Sequence, residues 1–289
     1  MDFFKNIQKD IEQYGKNGDH SLEYVGINLN KGNSFEYKCY RFLKNFPSDL
    51  ELPNNPFANH SMLKQLDFQK NYDENIYRIS YKINPNCCQE KQTDNLELQI
   101  KHIIQLAKFD LNIAHLIIDV NNFIKNILMT EVEPICVLGC KIDQKGVVRD
   151  IKVYYQLKIY KKENFVSAFA DTEKYFRIIE FMGTIGKINK EQMDRIKKIF
   201  KIASTNEYEP MMLGIDIGKK IYKIKYYFQI NENLFEKNDY YKLKSLTNSV
   251  EIEEIIQKFM TLGLKMKGFT IPYYSHNTHS MINLYFCEQ

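Results

Sequence analysis

Two heptapeptides of this 289-residue chain, IKVYYQL (Ile151–Leu157) and IKYYFQI (Ile224–Ile230), place lysine, tyrosine and glutamine at alternate positions among apolar residues. Successive side chains of a strand point to opposite faces. Ile151, Val153, Tyr155, Leu157 and Ile159 therefore share one face, and Lys152, Tyr154, Gln156 and Lys158 the other. The second segment divides in the same way, Tyr222, Ile224, Tyr226, Phe228 and Ile230 standing against Lys223, Lys225, Tyr227 and Gln229. Ammonium groups in a confined space hold a compact polyanion. Phenol rings beside them offer π faces that stabilise a cation by about 0.5–2 kcal/mol each.

Weaker copies of the pattern occur elsewhere. FEYKCYRF groups Glu36, Lys38 and Tyr40, NIYRISYKI groups Arg78, Ser80 and Lys82, and INLYFC groups Asn283, Tyr285 and Cys287. LGCKI (138–142) and LGIDI (213–217) precede the two strongest copies, which marks an internal repeat. One polar sheet face would ordinarily meet water. Five such faces around a closed barrel whose outside is covered by helices must line the lumen. An anion cradle beside aromatic faces suits ionisation of an allylic diphosphate, the allylic cation being shielded from water until a nucleophile captures it. A carboxylate would take the nucleophile's proton.

The elements that must carry these residues follow from periodicity. A helix over about 2–14 precedes a hairpin of SLEYVGINL and SFEYKCYRFL turning at Asn30–Asn33. Pairing Leu29 with Ser34 would set Glu23 against Tyr40 and Val25 against Lys38, all pointing inward. Residues 45–75, with Pro47, Pro53 and Pro56, are expected to be irregular, with a short helix near His60–Leu66, before the strand NIYRISYKIN. Helices follow over about 95–109 and 119–129, the second capped by Asp119. PICVLGCKID and RDIKVYYQLKIY form a hairpin about Gln144–Gly146. Asp171 opens a helix ending near Gly183, and Asn189 with Gln192 forms a capping box for the next. A hairpin of MMLGIDIG and IYKIKYYFQI leads to a helix opened by Asn248 and Glu251 and closed by Gly263. FTIPYYS and SMINLYF make the last pair. Short loops dictate antiparallel pairing. The fold class is α+β, a single domain over 1–289: an antiparallel β-barrel of αββα repeats with helices packed around the outside.

Composition narrows the function. Net charge is +4, from 40 basic and 36 acidic residues in mixed order, without the basic stripe that dominates phosphate-backbone binding, so a nucleic-acid partner is not expected. The longest apolar stretch is broken by Asp110, His115, Asp119 and Lys125, which argues against a membrane span, and the start MDFFKNIQKDIEQ reads as an amphipathic helix rather than a signal peptide. A cytoplasmic monomer is expected. Cys39, Cys87, Cys88, Cys136, Cys140 and Cys287 lack the spacing of zinc ligands, so no protein-held metal is expected.

The order of hairpins and helices, with KVYYQL, KYYFQI and the closing INLYF, resembles the ABBA prenyltransferases, or PT-barrels. GDHSLEYV before a hairpin ending in YRFL is most similar to their cyanobactin peptide-modifying branch. The resemblance covers most of the chain except residues 45–95, where one hairpin of the usual five is hard to find and a repeat is expected to be rebuilt. It implies transfer of a prenyl group, with dimethylallyl the expected one, from a prenyl diphosphate co-substrate to a side chain of a ribosomal, macrocyclic peptide. Glu23 would be the base, with Glu36 its rival. Arg41 matches the family arginine by motif, whereas strand parity favours Lys38. Lys38, Arg41, Arg78, Lys152, Lys225 and Asn283 would bind diphosphate, and Tyr40, Tyr154, Tyr227 and Tyr285 would shield the cation. Mg²⁺ would assist by bridging diphosphate oxygens. A strand ending near the C-terminus, without a capping helix, points to an open barrel mouth and a peptide acceptor. A small-molecule aromatic prenyltransferase and a non-catalytic nucleic-acid- or ligand-binding barrel are the alternatives.

Overall fold

The computed structural model describes residues 5, 8–9, 22–30, 35–42, 63–70, 75–82, 92–129, 133–143, 145–157, 160–161, 164–165, 172–205, 210–218, 222–229, 252–274 and 280–288. The strands are β1 (Leu22–Asn30), β2 (Phe35–Phe42), β3 (Leu63–Lys70), β4 (Asn75–Lys82), β5 (Ile135–Ile142), β6 (Val148–Gln156), the short β7 (Tyr160–Lys161) and β8 (Asn164–Phe165), β9 (Pro210–Gly218), β10 (Tyr222–Gln229), β11 (Leu264–Tyr274) and β12 (Ser280–Glu288). The helices are α1 (Gln92–Leu106), α2 (Asn112–Leu128), α3 (Thr172–Ile185), α4 (Lys190–Thr205) and α5 (Ile252–Thr261).

All ladders are antiparallel, in the order β1-β12-β11-β10-β9-β6-β5-β4-β3-β2, and β2 returns to β1. Seven strands by themselves form a sheet curled 187° about an axis, an open half-barrel. The backbone pairings of β2, β3 and β4 carry the ladder round from β1 to β5. Helices pack outside the sheet, as the pattern of the sequence requires. The order of helices and hairpins matches the general αββα topology.

The faces divide as the alternation demands. Ile151, Val153, Tyr155, Leu157, Ile224, Tyr226 and Phe228 are buried in the apolar core. Helices cover them through specific contacts. Tyr155 donates its hydroxyl to the Ile117 carbonyl on α2 at 3.0 Å, and Tyr175 of α3 donates to Leu157 O at 3.4 Å. Phe200 of α4 meets Tyr226 edge-on at 4.9 Å, and Phe259 of α5 stacks on Phe286 at 4.6 Å. On α2 the buried set Ala114, Ile117, Val120, Asn121, Ile124 and Ile127 recurs at helical spacing, and on α5 Ile252, Ile255, Ile256 and Phe259 do so.

Local signals succeed where the chemistry is local. Asn189 Oδ1 accepts the Gln192 N–H at 2.9 Å and Gln192 Oε1 accepts the Asn189 N–H at 3.4 Å, the reciprocal capping box. Gly263 adopts φ +79° just after α5, a backbone angle that favours glycine. Asp119, in contrast, lies inside α2, which starts about two turns earlier. Asp110 Oδ1 accepts the Asn112 N–H at 2.9 Å at that start instead. The short helix expected near His60–Leu66 is also overturned at its described end, since Leu63–Lys70 is β3. It pairs with β4 from Leu63↔Lys82 to Lys70↔Asn75 and supplies the hairpin missing from the irregular or rebuilt segment 45–95. Asp171, Asn248 and Glu251 lie outside the described residues, as does nearly all of the opening helix.

The register reveals one plan behind the hairpins. Gly26 lies opposite Lys38, Gly139 opposite Lys152 and Gly214 opposite Lys225. Two residues away on each strand, Asn28 lies opposite Glu36, Lys141 opposite Asp150 and Asp216 opposite Lys223. Val-Gly-Ile-Asn, Leu-Gly-Cys-Lys and Leu-Gly-Ile-Asp are thus three copies of one strand.

Candidate functional site

The polar face opposite the helices is itself buried. Lys152 is 3% exposed, Asp216 5%, Lys225 6%, and Thr270 and Asn283 are as deeply enclosed. It is therefore not a solvated sheet face, and each charge on it needs a partner.

Asp216 supplies one. Lys152 Nζ donates to both of its carboxylate oxygens, at 3.0 and 3.1 Å, and Lys225 Nζ donates to Oδ2 at 2.6 Å. The fold makes this meeting inevitable. Asp216 on β9 lies opposite Lys152 on β6 and Lys223 on β10, with Lys225 next along the inward row. Burial opposes ionisation of Asp216, but Lys152, Lys225, Lys141 and Lys223 together outweigh it and hold the carboxyl well below its ordinary value. Burial likewise opposes the Lys225 charge, and the Asp216 carboxylate, aided by Tyr154 and Tyr285, outweighs it and raises the ammonium's pKa. Lys141 is within 3.7 Å of Asp150, its opposite number on β6. Among the described residues, four lysines thus surround two aspartates.

A tyrosine wall adjoins it. Tyr154 and Tyr227 meet edge-on with centroids 5.5 Å apart, the Tyr227 hydroxyl donating to that of Tyr154 at 3.4 Å, and Tyr227 stacks on Tyr285 at 6.2 Å. Gly214 makes the first contact possible, because a Cβ there would lie 2.8 Å from Tyr227 Cε2 and 3.1 Å from Tyr154 Cε1. Burial, reinforced by Tyr154, Tyr285 and Asp216, pushes the Tyr227 phenol well above its ordinary value. Burial also raises Tyr285, against the opposing pull of Lys225. Both rings are neutral phenols at physiological pH. Asn283 Nδ2 donates to Thr270 Oγ1 at 3.0 Å, and Thr270 Oγ1 lies 3.5 Å from the Tyr285 hydroxyl.

Of the residues singled out by sequence, Lys152, Lys225, Tyr154, Tyr227, Tyr285 and Asn283 are thus brought onto one buried face. Glu23, Glu36, Lys38, Tyr40, Arg41 and Arg78 occupy strands whose side chains lie outside the described residues, and backbone register alone locates them. The β1–β2 register differs from the expected one by a residue. Leu29 pairs with Phe35, Val25 with Cys39, Gly26 with Lys38 and Tyr24 with Tyr40. A one-residue slip reverses every face, and Val25 is accordingly enclosed in the apolar core rather than facing inward. A bulge between Leu22 and Tyr24 interrupts the alternation at Glu23 itself. Arg41 lies opposite Leu22, and Arg78 lies between Asp67 on β3 and Lys141 on β5, which gives it the neighbours the sequence did not.

Asp216, Gly214, Thr270 and Asn28 escaped the sequence reading. The signal existed for two of them: aligning LGCKI with LGIDI sets Gly214 against Gly139 and Asp216 against Lys141, a charge reversal inside a repeat. Among the described residues, no group of three or more His, Cys, Asp and Glu side chains is placed to hold a metal ion. No described helix is long and apolar enough to cross a membrane. No protein-family model matches the chain, and no curated protein matches it.

Proposed function

We propose that the protein is a prenyltransferase that moves a prenyl group, dimethylallyl in the simplest case, from an allylic diphosphate to a side chain of a peptide. The observation that carries this reading is the juxtaposition of buried Lys152 and Lys225 with the rings of Tyr154, Tyr227 and Tyr285 on one inward face. Lys152 and Lys225, with Lys38, Arg41 and Arg78 as further cations, would hold the diphosphate. Breaking the allylic C–O bond leaves the electron pair on diphosphate and positive charge on the prenyl chain, which the tyrosine faces would screen. The acceptor atom forms the new bond to the prenyl carbon, and its proton passes to a carboxylate, Glu36 or Glu23.

Asp216 holds both lysines in place, and keeps Lys225 protonated, before the donor arrives. Mg²⁺ would arrive with the diphosphate and bridge its oxygens. The deeply buried Asp216 is already committed to two lysines, so among the described residues it does not fit the role of an ion ligand.

The test is incubation with dimethylallyl, geranyl and farnesyl diphosphate and a set of cyclic peptides containing Tyr, Trp, Arg or His, followed by mass spectrometry. Addition of one isoprenoid unit is expected. Absence of any adduct, together with absence of diphosphate binding by calorimetry, would refute the transferase reading. Small phenols and indoles in the same set distinguish a small-molecule acceptor from a peptide. A sheet that stacks nucleic-acid bases needs accessible aromatics, and the enclosed Lys152 and Tyr154 speak against that alternative.

A further inference from the structure

One inward row runs across five strands without a charge until its end. Tyr227 of β10 lies opposite Thr270 of β11, Thr270 opposite Asn283 of β12, Asn283 opposite Asn28 of β1, and Asn28 opposite Glu36 of β2. Thr270, Asn283 and Asn28 are all buried. The Asn283 side chain is held by Thr270, its Nδ2 donating to Thr270 Oγ1, and by a further hydrogen bond to Tyr285. Its Oδ1 is buried and accepts no hydrogen bond among the described residues. An acceptor left unsatisfied in a buried site costs about 1–3 kcal/mol, so such atoms are rare unless something fills them.

The hairpin register sets Asn283 one inward position away from the residue that matches the glycine-facing lysines. Lys38, Lys152 and Lys225 each stand opposite a glycine, and in the last hairpin the residue opposite a glycine, Gly268, is Tyr285. Asn283 is two residues away and opposite Thr270, a neutral neighbour.

We infer that Thr270, Asn283 and Asn28 form a neutral hydrogen-bonding subsite beside the tyrosine wall, in which Asn283 Oδ1 accepts a hydrogen bond from a hydroxyl or ring N–H of the acceptor. This rests on the transferase reading for the identity of its occupant. The subsite takes an uncharged donor on an aromatic or alcohol side chain: a carbonyl oxygen flanked by phenols discriminates by the hydrogen it receives. A methylated analogue leaves the buried oxygen unpaired and is rejected.

The chain contains no Trp, so the fluorescence of indole reports binding without background. Indole is compared with 1-methylindole by fluorescence, and phenol with anisole by calorimetry. The hydrogen-bonding member of each pair should bind about tenfold more tightly, the ratio that follows from leaving one buried acceptor unpaired. Asn283→Leu should abolish the preference, and Thr270→Val, which releases the amide from one of its anchors, should reduce it. Equal affinity of each pair for the native protein, absence of binding by all of them, or a preference that survives Asn283→Leu would overturn the subsite. Inorganic diphosphate binding in the same samples reports separately on the lysines. If it is retained while the preference is absent, the subsite fails and the transferase reading stands. If it is lost and no adduct forms while the preference persists, the transferase reading fails and the subsite stands.

Discussion

Asp216→Asn isolates the charge that organises the inward face. The substitution preserves shape and leaves an amide oxygen to accept from one lysine, but it removes the carboxylate that Lys152 and Lys225 share at 2.6–3.1 Å. All three groups are at least nine-tenths enclosed. Removing one partner from a buried ionic cluster costs about 3–5 kcal/mol, because the remaining charge keeps its desolvation penalty. For a chain of this size that corresponds to a fall in Tm of roughly 5–8 °C at pH 7. The pH dependence identifies the cause. In the native protein the Asp216 carboxyl lies below its unfolded value of 3.8, so its contribution is complete above that pH and is lost only as pH falls through the lower folded value. The Lys225 ammonium lies above its unfolded value of 10.5, so its contribution is complete below that pH and is lost as pH rises through the higher folded value. The native cluster is therefore indifferent to pH between about 4 and 10. In Asp216→Asn Lys225 loses the group that keeps its ammonium charged, so the deficit should shrink as pH rises from 7 to 10 and that ammonium releases its proton. Inorganic diphosphate should raise the variant's Tm more than the native protein's, since the anion replaces the missing charge. Thermal unfolding followed by tyrosine circular dichroism, with and without diphosphate, reads all of this. A variant as stable as the native protein, or a deficit that is the same at pH 7 and pH 10, would refute the assignment.

Other outcomes follow from the same structure. Gly214→Ala drives a methyl group into Tyr227 and Tyr154, and overpacking of this kind costs about 1–3 kcal/mol; near-ultraviolet circular dichroism should report the displaced tyrosines, and an unchanged spectrum and Tm would contradict the packing. Burial pushes the Cys140 thiol up to about 12, so iodoacetamide at pH 8.5 should leave it unmodified in the folded protein and alkylate it after unfolding; equal rates by peptide mass spectrometry would show the site to be open. Asn189→Ala removes the cap of α4 and should cost about 1 kcal/mol in denaturant unfolding, whereas no loss would show the reciprocal bonds to be unimportant.

Much of the fold was legible because its signals are periodic or local. The alternation in IKVYYQL and IKYYFQI separates the core face from the polar face without further information, and Asn189 with Gln192 and Gly263 mark helix ends through bonds or backbone angles only a few residues long. The β3–β4 hairpin was missed because prolines upstream suggested irregularity, and Asp119 was mistaken for a cap because residue type outweighed the apolar stripe that starts at Ala114. The candidate residues on β6, β10 and β12 share one face through the same alternation that marks the strands.

What sequence alone determined is the inventory: which residues alternate, which repeat, and hence that lysines and tyrosines share a face opposite an apolar one. Tertiary structure decided which of them meet. Asp216 lies 64 residues from Lys152, and only the pairing of β6 with β9 makes them neighbours. The β1–β2 hairpin shows the same limit at short range, since one residue in its turn decides whether Val25 or Gly26 stands opposite Lys38. Periodicity of two fixes the separation of faces along a strand but carries no information about register between strands, and it is register that sets Asn283 between Thr270 and Asn28.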